Sequence, residues 1–304
     1  MSRCGFVALL GVPNAGKSTL VNRLVGAKVA IVSPKVQTTR TRVTGILVEN
    51  GTQAIFVDLP GVFAPKRRLD RAMVDAAWRG VEEADAVLLV VDAPRALKRG
   101  DGDEEEKIVL DGLAKRGLKA DLAINKIDLI APHELLALAK RYSETGHIRD
   151  VFMVSAQTGN GCDVLKSKLL AKLPEGPFHY PEDEISDLPA RLLAAEVTRE
   201  QVFRKLHKEL PYSSAVETTK FEEREDGSAR IEQTIHVARE GQRKIVIGAK
   251  GAMLKTIGQG ARFELAKLLD RQVHLFLHVK VDPKWDEKRG FFQEWGLEFN
   301  PGKG

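Results

Sequence analysis

The chain has 304 residues, 43% of them hydrophobic, and a formal net charge of +5. That length suggests two domains, that apolar content excludes a disordered chain, and the small basic excess leans toward a polyanionic partner without naming one. Two cysteines, Cys4 and Cys162, exclude a disulfide framework or a cysteine metal cluster and fit a reducing compartment. The longest apolar run, AVLLVVDA from Ala86 to Ala93, is strand-sized rather than membrane-spanning. The N-terminus enters directly on an apolar run, which leaves no room for a cleaved leader, so a cytoplasmic protein is expected.

From Phe6 to Leu173 the runs FVALL, QAIFVDL, AVLLVVD, ADLAIN and VFMVS are separated by helix-like stretches. Continuous apolar strands alternating with helices predict an α/β domain whose mostly parallel sheet carries helices on both faces. The first run leads into GVPNAGKS, Gly11 to Ser18, which fits G-x-x-x-x-G-K-[ST]. Glycines there let backbone N–H groups turn onto phosphate oxygens, Lys17 brings a positive charge to the β- and γ-phosphates, and Ser18 can ligate magnesium. The following helix presents its N-terminal end to the same anion. Gly11, Asn14, Ala15, Gly16, Lys17, Ser18 and Thr19 form the expected nucleotide-binding set of this loop.

QTTR, Gln37 to Arg40, lies in a polar loop before the next strand; Thr39 is preferred over Thr38 as a magnesium ligand present only with the γ-phosphate. DLPG, Asp58 to Gly61, ends a strand: Asp58 would hold magnesium, through water, and the Gly61 N–H would sense the γ-phosphate. Ser18, Thr39 and Asp58 are therefore the expected metal set, and Lys17, Thr39 and Gly61 the expected catalytic groups. The acid-rich RGDGDEEEK, Arg99 to Lys107, reads as a solvated helix start. NKID follows the ADLAIN strand, with Asn125 and Lys126 beside Asp128. The Asp128 carboxylate can accept from guanine N1–H and its 2-amino group, whereas adenine would leave it unpaired, a mismatch that discriminates by ~10⁴ or more. Ser155 and Ala156 of SAQ end the next strand, and the Ala156 N–H is expected to support the base.

LPEGPFHYPEDEISDLP, Leu173 to Pro189, is rich in proline and acid and reads as a linker. Beyond it the order is helix, strand, strand, helix, helix, strand. The first helix shows one apolar face, Leu192, Ala195, Val202 and Leu206, and Asp226-Gly227 is the turn between the first two strands. The last strand, VHLFLHVKV, alternates strictly. Between the helices lies KIVIGAKGAM, whose Gly248-Ala249-Lys250-Gly251 is only G-x-x-G and lacks the Lys-Ser pair that clamps a triphosphate. Lys244, Lys250, Lys255 and Arg262 surround it and can neutralise phosphates, over an apolar floor expected from Ile245, Val246, Ile247 and Met253. His274 and His278 read as structural or RNA-proximal rather than metal ligands, and Trp285, Phe291, Phe292, Trp295 and Phe299 as a tail packed on the second domain's core.

The first five motifs stand in the order and strand-end positions of the Ras-like GTPase fold. The second loop, its IVIG flank and the helix after it are similar to a type II KH domain, in which G-x-x-G runs along about four nucleotides of a single strand. Together they resemble the Era family, with a GTPase domain over 1–173, a linker over 174–189 and a KH domain with its tail over 190–304. The resemblance implies a GTP/GDP and Mg2+ switch, RNA contacts from Lys244, Ile247, Gly248, Ala249, Lys250, Gly251, Lys255 and Arg262, and the 3′ end of small-subunit ribosomal RNA and the 30S subunit as partners. It also implies a monomer and a peripheral contact with the inner membrane, which nothing in this sequence displays. Where Ras-like switches carry a water-orienting glutamine, this chain has Val62, so slow intrinsic hydrolysis is expected. Some GTPases with PNAGKS use the asparagine to help hold K+, which makes Asn14 a candidate for that role. The alternative reading is an RNA-binding module in which the guanine nucleotide is structural and turnover incidental.

Overall fold

The computed structural model describes residues 2–33, 39–206 and 210–299. The chain forms two compact units: residues 2–30, 39–187 and 295–299 in one, residues 31–33 and 188–294 in the other. Gln37 and Thr38 of the QTTR motif lie outside the described residues. No helix among those described is long and apolar enough to cross a membrane.

The strands of the first unit are β1 (Arg3–Leu10), β2 (Val43–Glu49), β3 (Thr52–Asp58), β4 (Ala86–Asp92), β5 (Ala120–Asn125) and β6 (Ile148–Val154). They line up as β2-β3-β1-β4-β5-β6, parallel except for β2, which runs antiparallel to β3. Helices α1 (Lys17–Val25), α2 (Arg68–Glu82), α3 (Ala93–Arg99), α4 (Glu104–Lys115), α5 (Pro132–Ser143) and α6 (Cys162–Lys172) connect them. Both parities of β3 and β5 are buried, as expected of strands covered on each face. The register sets Leu9 beside Asp58 and Asp92 beside Asn125, so the C-terminal ends of β1, β3, β4 and β5 share one edge. In open parallel sheets that edge is where ligands bind.

Two features of this unit are not legible in the sequence. Strand β2 has a glycine at its third position and a half-buried end, so neither alternation nor a continuous apolar run marks it. The acidic run, expected to be solvated, is partly an ionic cluster. Asp103 is the N-cap of α4 and is 2% exposed, and it accepts from Arg95 Nε and Nη2 at 2.6 and 2.8 Å. Arg95 holds the Asp103 carboxyl below the usual carboxylate range. Glu106, one turn on, accepts from the Tyr142 hydroxyl and from Arg141 Nη2.

The second unit runs α7 (Ala190–Lys205), β7 (Ser214–Glu223), β8 (Ala229–Val237), α8 (Glu240–Ile247), α9 (Ala252–Leu268), β9 (Val273–Val281) and α10 (Arg289–Glu294). Its sheet has the order β7-β8-β9, with β8 antiparallel to β7 and parallel to β9. Asp226 shapes the hairpin by accepting from the Ser228 N–H at 2.9 Å. Helix α7 is buried from Ala194 through Phe203 rather than on one face alone, and Arg199 Nε donates to Glu196 within it at 2.8 Å.

The expected linker and tail need correction. Residues 174–187 group with the first unit, where β2 and β3 satisfy part of their backbone: Ile46 N–H donates to Ile185 O at 2.9 Å, and Gln53 Nε2 to Tyr180 O at 2.8 Å. Trp285, Phe291 and Phe292 are buried in the second unit, and Trp285 Nε1 donates to Ser213 O at 3.2 Å. Trp295 and Phe299 instead belong to the first unit, held by cations the sequence does not bring near them. Arg40 lies 5.5 Å from the Trp295 ring centre and Arg68 lies 5.4 Å from that of Phe299. Among the described residues no cluster of three or more His, Cys, Asp or Glu side chains that could hold a metal ion is present.

Candidate functional site

The first loop joins β1 to α1. Lys17, 6% exposed, donates from Nζ to the carbonyls of Gly11 and Val12, both at 3.1 Å. Burial lowers its pKa to about 8, with Asp58 opposing that shift. Gly16, at φ 97°, has no room for a side chain: a Cβ would stand 2.2 Å from Asn125 Nδ2. That amide donates to Ala15 O at 2.9 Å, and Asn125 Oδ1 accepts from the Ala156 N–H at 3.0 Å. Asn125 thus ties the phosphate loop to the loop after β6. Lys126, itself in the left-handed region at φ 66°, donates from Nζ to Asn14 O at 2.9 Å and pairs with Asp92.

At the other end of the loop, Ser18 Oγ donates to Asp58 Oδ2 at 2.6 Å and Thr39 Oγ1 donates to the same oxygen at 3.1 Å; the two hydroxyls are 3.1 Å apart. Asp58 is fully buried, and its Oδ1 has no hydrogen-bond partner. Burial pushes its pKa up, while Lys17, Ser18 and Thr39 hold it down. Two hydroxyls and an under-satisfied carboxylate oxygen are hard ligands of the kind magnesium takes beside phosphate oxygens and water. The donor set therefore fits that ion.

Gly61 packs on Pro13, with 2.6 Å from its notional Cβ to the Pro13 nitrogen. The next residue, Val62, is fully buried and its N–H donates to Gly11 O at 3.1 Å. A hydrocarbon therefore stands where a water-orienting amide would be needed. Asp128 is exposed. One expectation changes: the Ala156 N–H, assigned to the base, is committed to Asn125. Ser155 is buried and accepts at Oγ from the Thr158 N–H at 3.1 Å, so it shapes the turn. Thr19 lines a cavity of about 310 Å³ with Asn22, Lys28 and Ala156. Arg23 and Asp92 are supporting residues that carry no motif of their own; Arg23 Nε donates to Ala156 O at 3.1 Å and its Nη2 to Gln157 O at 2.7 Å.

The second loop lies between α8 and α9. Gly248 has φ 73°, and a Cβ there would meet that of Met253 at 2.7 Å; Gly251, at φ 81°, faces open space. Beside it runs a groove of about 420 Å³ whose apolar floor is Leu254, Leu275 and Leu277, with Lys255, Gln259 and Arg262 along α9. Of the expected RNA-contacting residues, Gly251, Lys255 and Arg262 line this groove. Lys244, Ala249 and Lys250 are exposed on the loop and its approach, and Ile247 and Gly248 are half-buried. The expected floor is wrong in part. Val246 is fully buried in the core and Met253 packs against it, because their side of the helices faces inward.

Against known proteins, the family described as "50S ribosome-binding GTPase" matches residues 6–126, and the KH domain family matches 209–286. GTPase Era of Caulobacter vibrioides is 57% identical over 308 residues, covering 98% of each chain. That of Bradyrhizobium diazoefficiens is 54% identical, covering 98% of this chain and 95% of its own. The chain belongs to the Era family of GTPases. Among solved structures, Era in complex with MgGDPNP and nucleotides 1506–1542 of 16S ribosomal RNA is 38% identical, covers 97% of this chain and 99% of its own, and has a TM-score of 0.90. A variant of Aquifex aeolicus Era bound to GDP and aluminium fluoride has a TM-score of 0.89 at 38% identity, with the same coverage.

In this Era-family chain Lys17 carries a pH consequence. Its folded-state pKa of about 8 lies below the ordinary 10.5, so between those values the unfolded chain binds more protons and stability rises with pH. The cost of burying the charge is fully present below pH 8, and its relief across the window is at most roughly 3 kcal/mol. Denaturant titrations of the nucleotide-free protein at about pH 8 and pH 10 should show wild type gaining relative to Lys17→Met. Parallel pH profiles would remove the assignment.

Proposed function

We propose that this chain is a GTP-hydrolysing switch that binds the 3′ end of small-subunit ribosomal RNA through its KH groove and assists 30S subunit assembly. The observation that carries the reading is the convergence of Lys17, Ser18, Thr39 and Asp58, in a chain that also holds the open G-x-x-G groove. A relative with both modules holds a magnesium-bound GTP analogue and 16S ribosomal RNA nucleotides in one structure.

On GTP binding the Lys17 ammonium would exchange the Gly11 and Val12 carbonyls for β- and γ-phosphate oxygens, which carry more charge. Ser18, Thr39 and Asp58 would hold magnesium, whose chemistry there is to neutralise charge on the phosphate oxygens. Thr39, whose hydroxyl already lies on Asp58, would ligate the ion only while the γ-phosphate remains, and the Gly61 N–H would face that group. Val62 offers nothing to orient water, so unaided turnover should be on the order of 10⁻³ s⁻¹ or below. Asp128 would accept from guanine N1–H and the 2-amino group, with Asn125 and Lys126 bracing the loop beneath. Asn14 is the candidate partner for a potassium ion that would offset the missing glutamine. The place of action proposed is the cytoplasm; a peripheral membrane contact rests on the family resemblance alone.

A switch must bind RNA differently in its two nucleotide states. RNA titrations with GDP and with a non-hydrolysable GTP analogue should differ by roughly five-fold or more; equal affinities would leave only an RNA-binding module with a structural nucleotide. In the same assay Gly251→Asp should lose RNA binding and keep GTP affinity. Asp128→Asn should weaken GTP binding and admit xanthosine triphosphate, and a variant that still prefers GTP would end the guanine assignment. Hydrolysis should be faster in potassium chloride than in sodium chloride at equal ionic strength, and matching rates would exclude the potassium role.

A further inference from the structure

Phe263 is 71% exposed, on a helix whose other large apolar residues face the core or the groove. Its place on α9 is specific. Gln259 and Arg262, one turn and one residue before it, both line the groove, as does Lys255 two turns before. Four residues along an α-helix advance about 40° around the axis, so Phe263 sits on the groove's rim beside Gln259. Helical side chains lean toward the N-terminus, which aims the ring back over the Gln259 turn. From Gly251 to Phe263 is roughly 18 Å along the axis, so the ring stands at the groove end far from the glycine loop. The cations Arg262 and Lys267 flank it on the exposed side of the helix.

A flat apolar face between cations, continuous with a phosphate-binding groove, is the arrangement on which single-stranded bases stack. A G-x-x-G groove holds about four nucleotides, and the next base of the strand leaves it into water unless something covers it. We propose that Phe263 is a stacking platform for that next base, extending the RNA site by one nucleotide at the end remote from Gly248–Gly251. The inference rests on the RNA-binding reading of the groove. Exposure also means that nothing in the fold depends on the ring, so its removal is expected to leave stability unchanged.

The test uses the full-length protein with a non-hydrolysable GTP analogue and a dodecanucleotide matching the 3′ end of small-subunit ribosomal RNA. Phe263→Ala should weaken binding by roughly five-fold or more, as loss of one stacked base does, while Phe263→Trp restores it. A set of dodecanucleotides, each with one abasic position, should contain one position outside the groove-held four that weakens wild type equally and adds nothing to Phe263→Ala. Melting temperature and GTP affinity should not move. If Phe263→Ala binds every oligonucleotide as wild type does while Gly251→Asp fails, the groove stands and the platform is overturned. If Gly251→Asp also binds normally, the groove reading fails and the platform with it. A defect of Phe263→Ala seen only on intact 30S particles would assign the ring to a protein partner and overturn the proposal.

Discussion

Two opposite charges, Lys17 and Asp58, both buried and each within the other's electrostatic influence, set the character of the first unit. The lysine spends its donors on loop carbonyls, which are weak partners for an ammonium. The aspartate accepts two hydroxyl protons on one oxygen and none on the other. Burying either charge is costly, and the shifts in both pKa values, each toward the neutral form, express that cost. A ligand that brings both an anion and a cation relieves the two together. The fold thus holds open a site whose own groups are under-satisfied, and a triphosphate with magnesium is the chemistry that matches it.

Such a site is useful only if its loops do not collapse onto their own charges. Asn125 and Lys126 prevent that from below, one fastening Ala15 and Ala156, the other fastening Asn14 to Asp92. Arg23 adds a second bracket from α1 to the loop after β6. The NKID tetrapeptide therefore divides its labour. Its first two residues are structural ties whose loss would loosen the phosphate loop, and its aspartate alone faces solvent.

What could be read from the sequence was whatever fixed spacing dictates. The glycine loops, strand-end aspartates and helix order depend on local geometry, and the sheet supplies that geometry at known offsets. Hidden from the sequence was whatever depends on which partners the fold brings into contact. Strand β2 is held by pairing with β3, not by its own pattern. Asp103 looks like one more solvated acid until Arg95 is brought to it. Val246 and Leu275 are both apolar, and only the packing of α8 and α9 on the sheet decides which is core and which is groove floor. Trp295 and Phe299 resemble the aromatics before them, yet arginines of the first unit take them.

The two glycine loops solve different electrostatic problems. A nucleoside triphosphate concentrates its charge on a few adjacent oxygens, so it rewards a buried ammonium and a metal and tolerates their desolvation. A polynucleotide spreads one charge per residue along a chain that stays wet, and burying a lysine for each phosphate would cost more than it returned. Lys244, Lys250, Lys255 and Arg262 are exposed, and on the proposed reading they would act through field and counterion release. The apolar floor of Leu254, Leu275 and Leu277 would supply the part of the proposed RNA binding that salt does not screen. Glycine serves both loops through backbone approach; what surrounds the glycine decides which phosphate it meets.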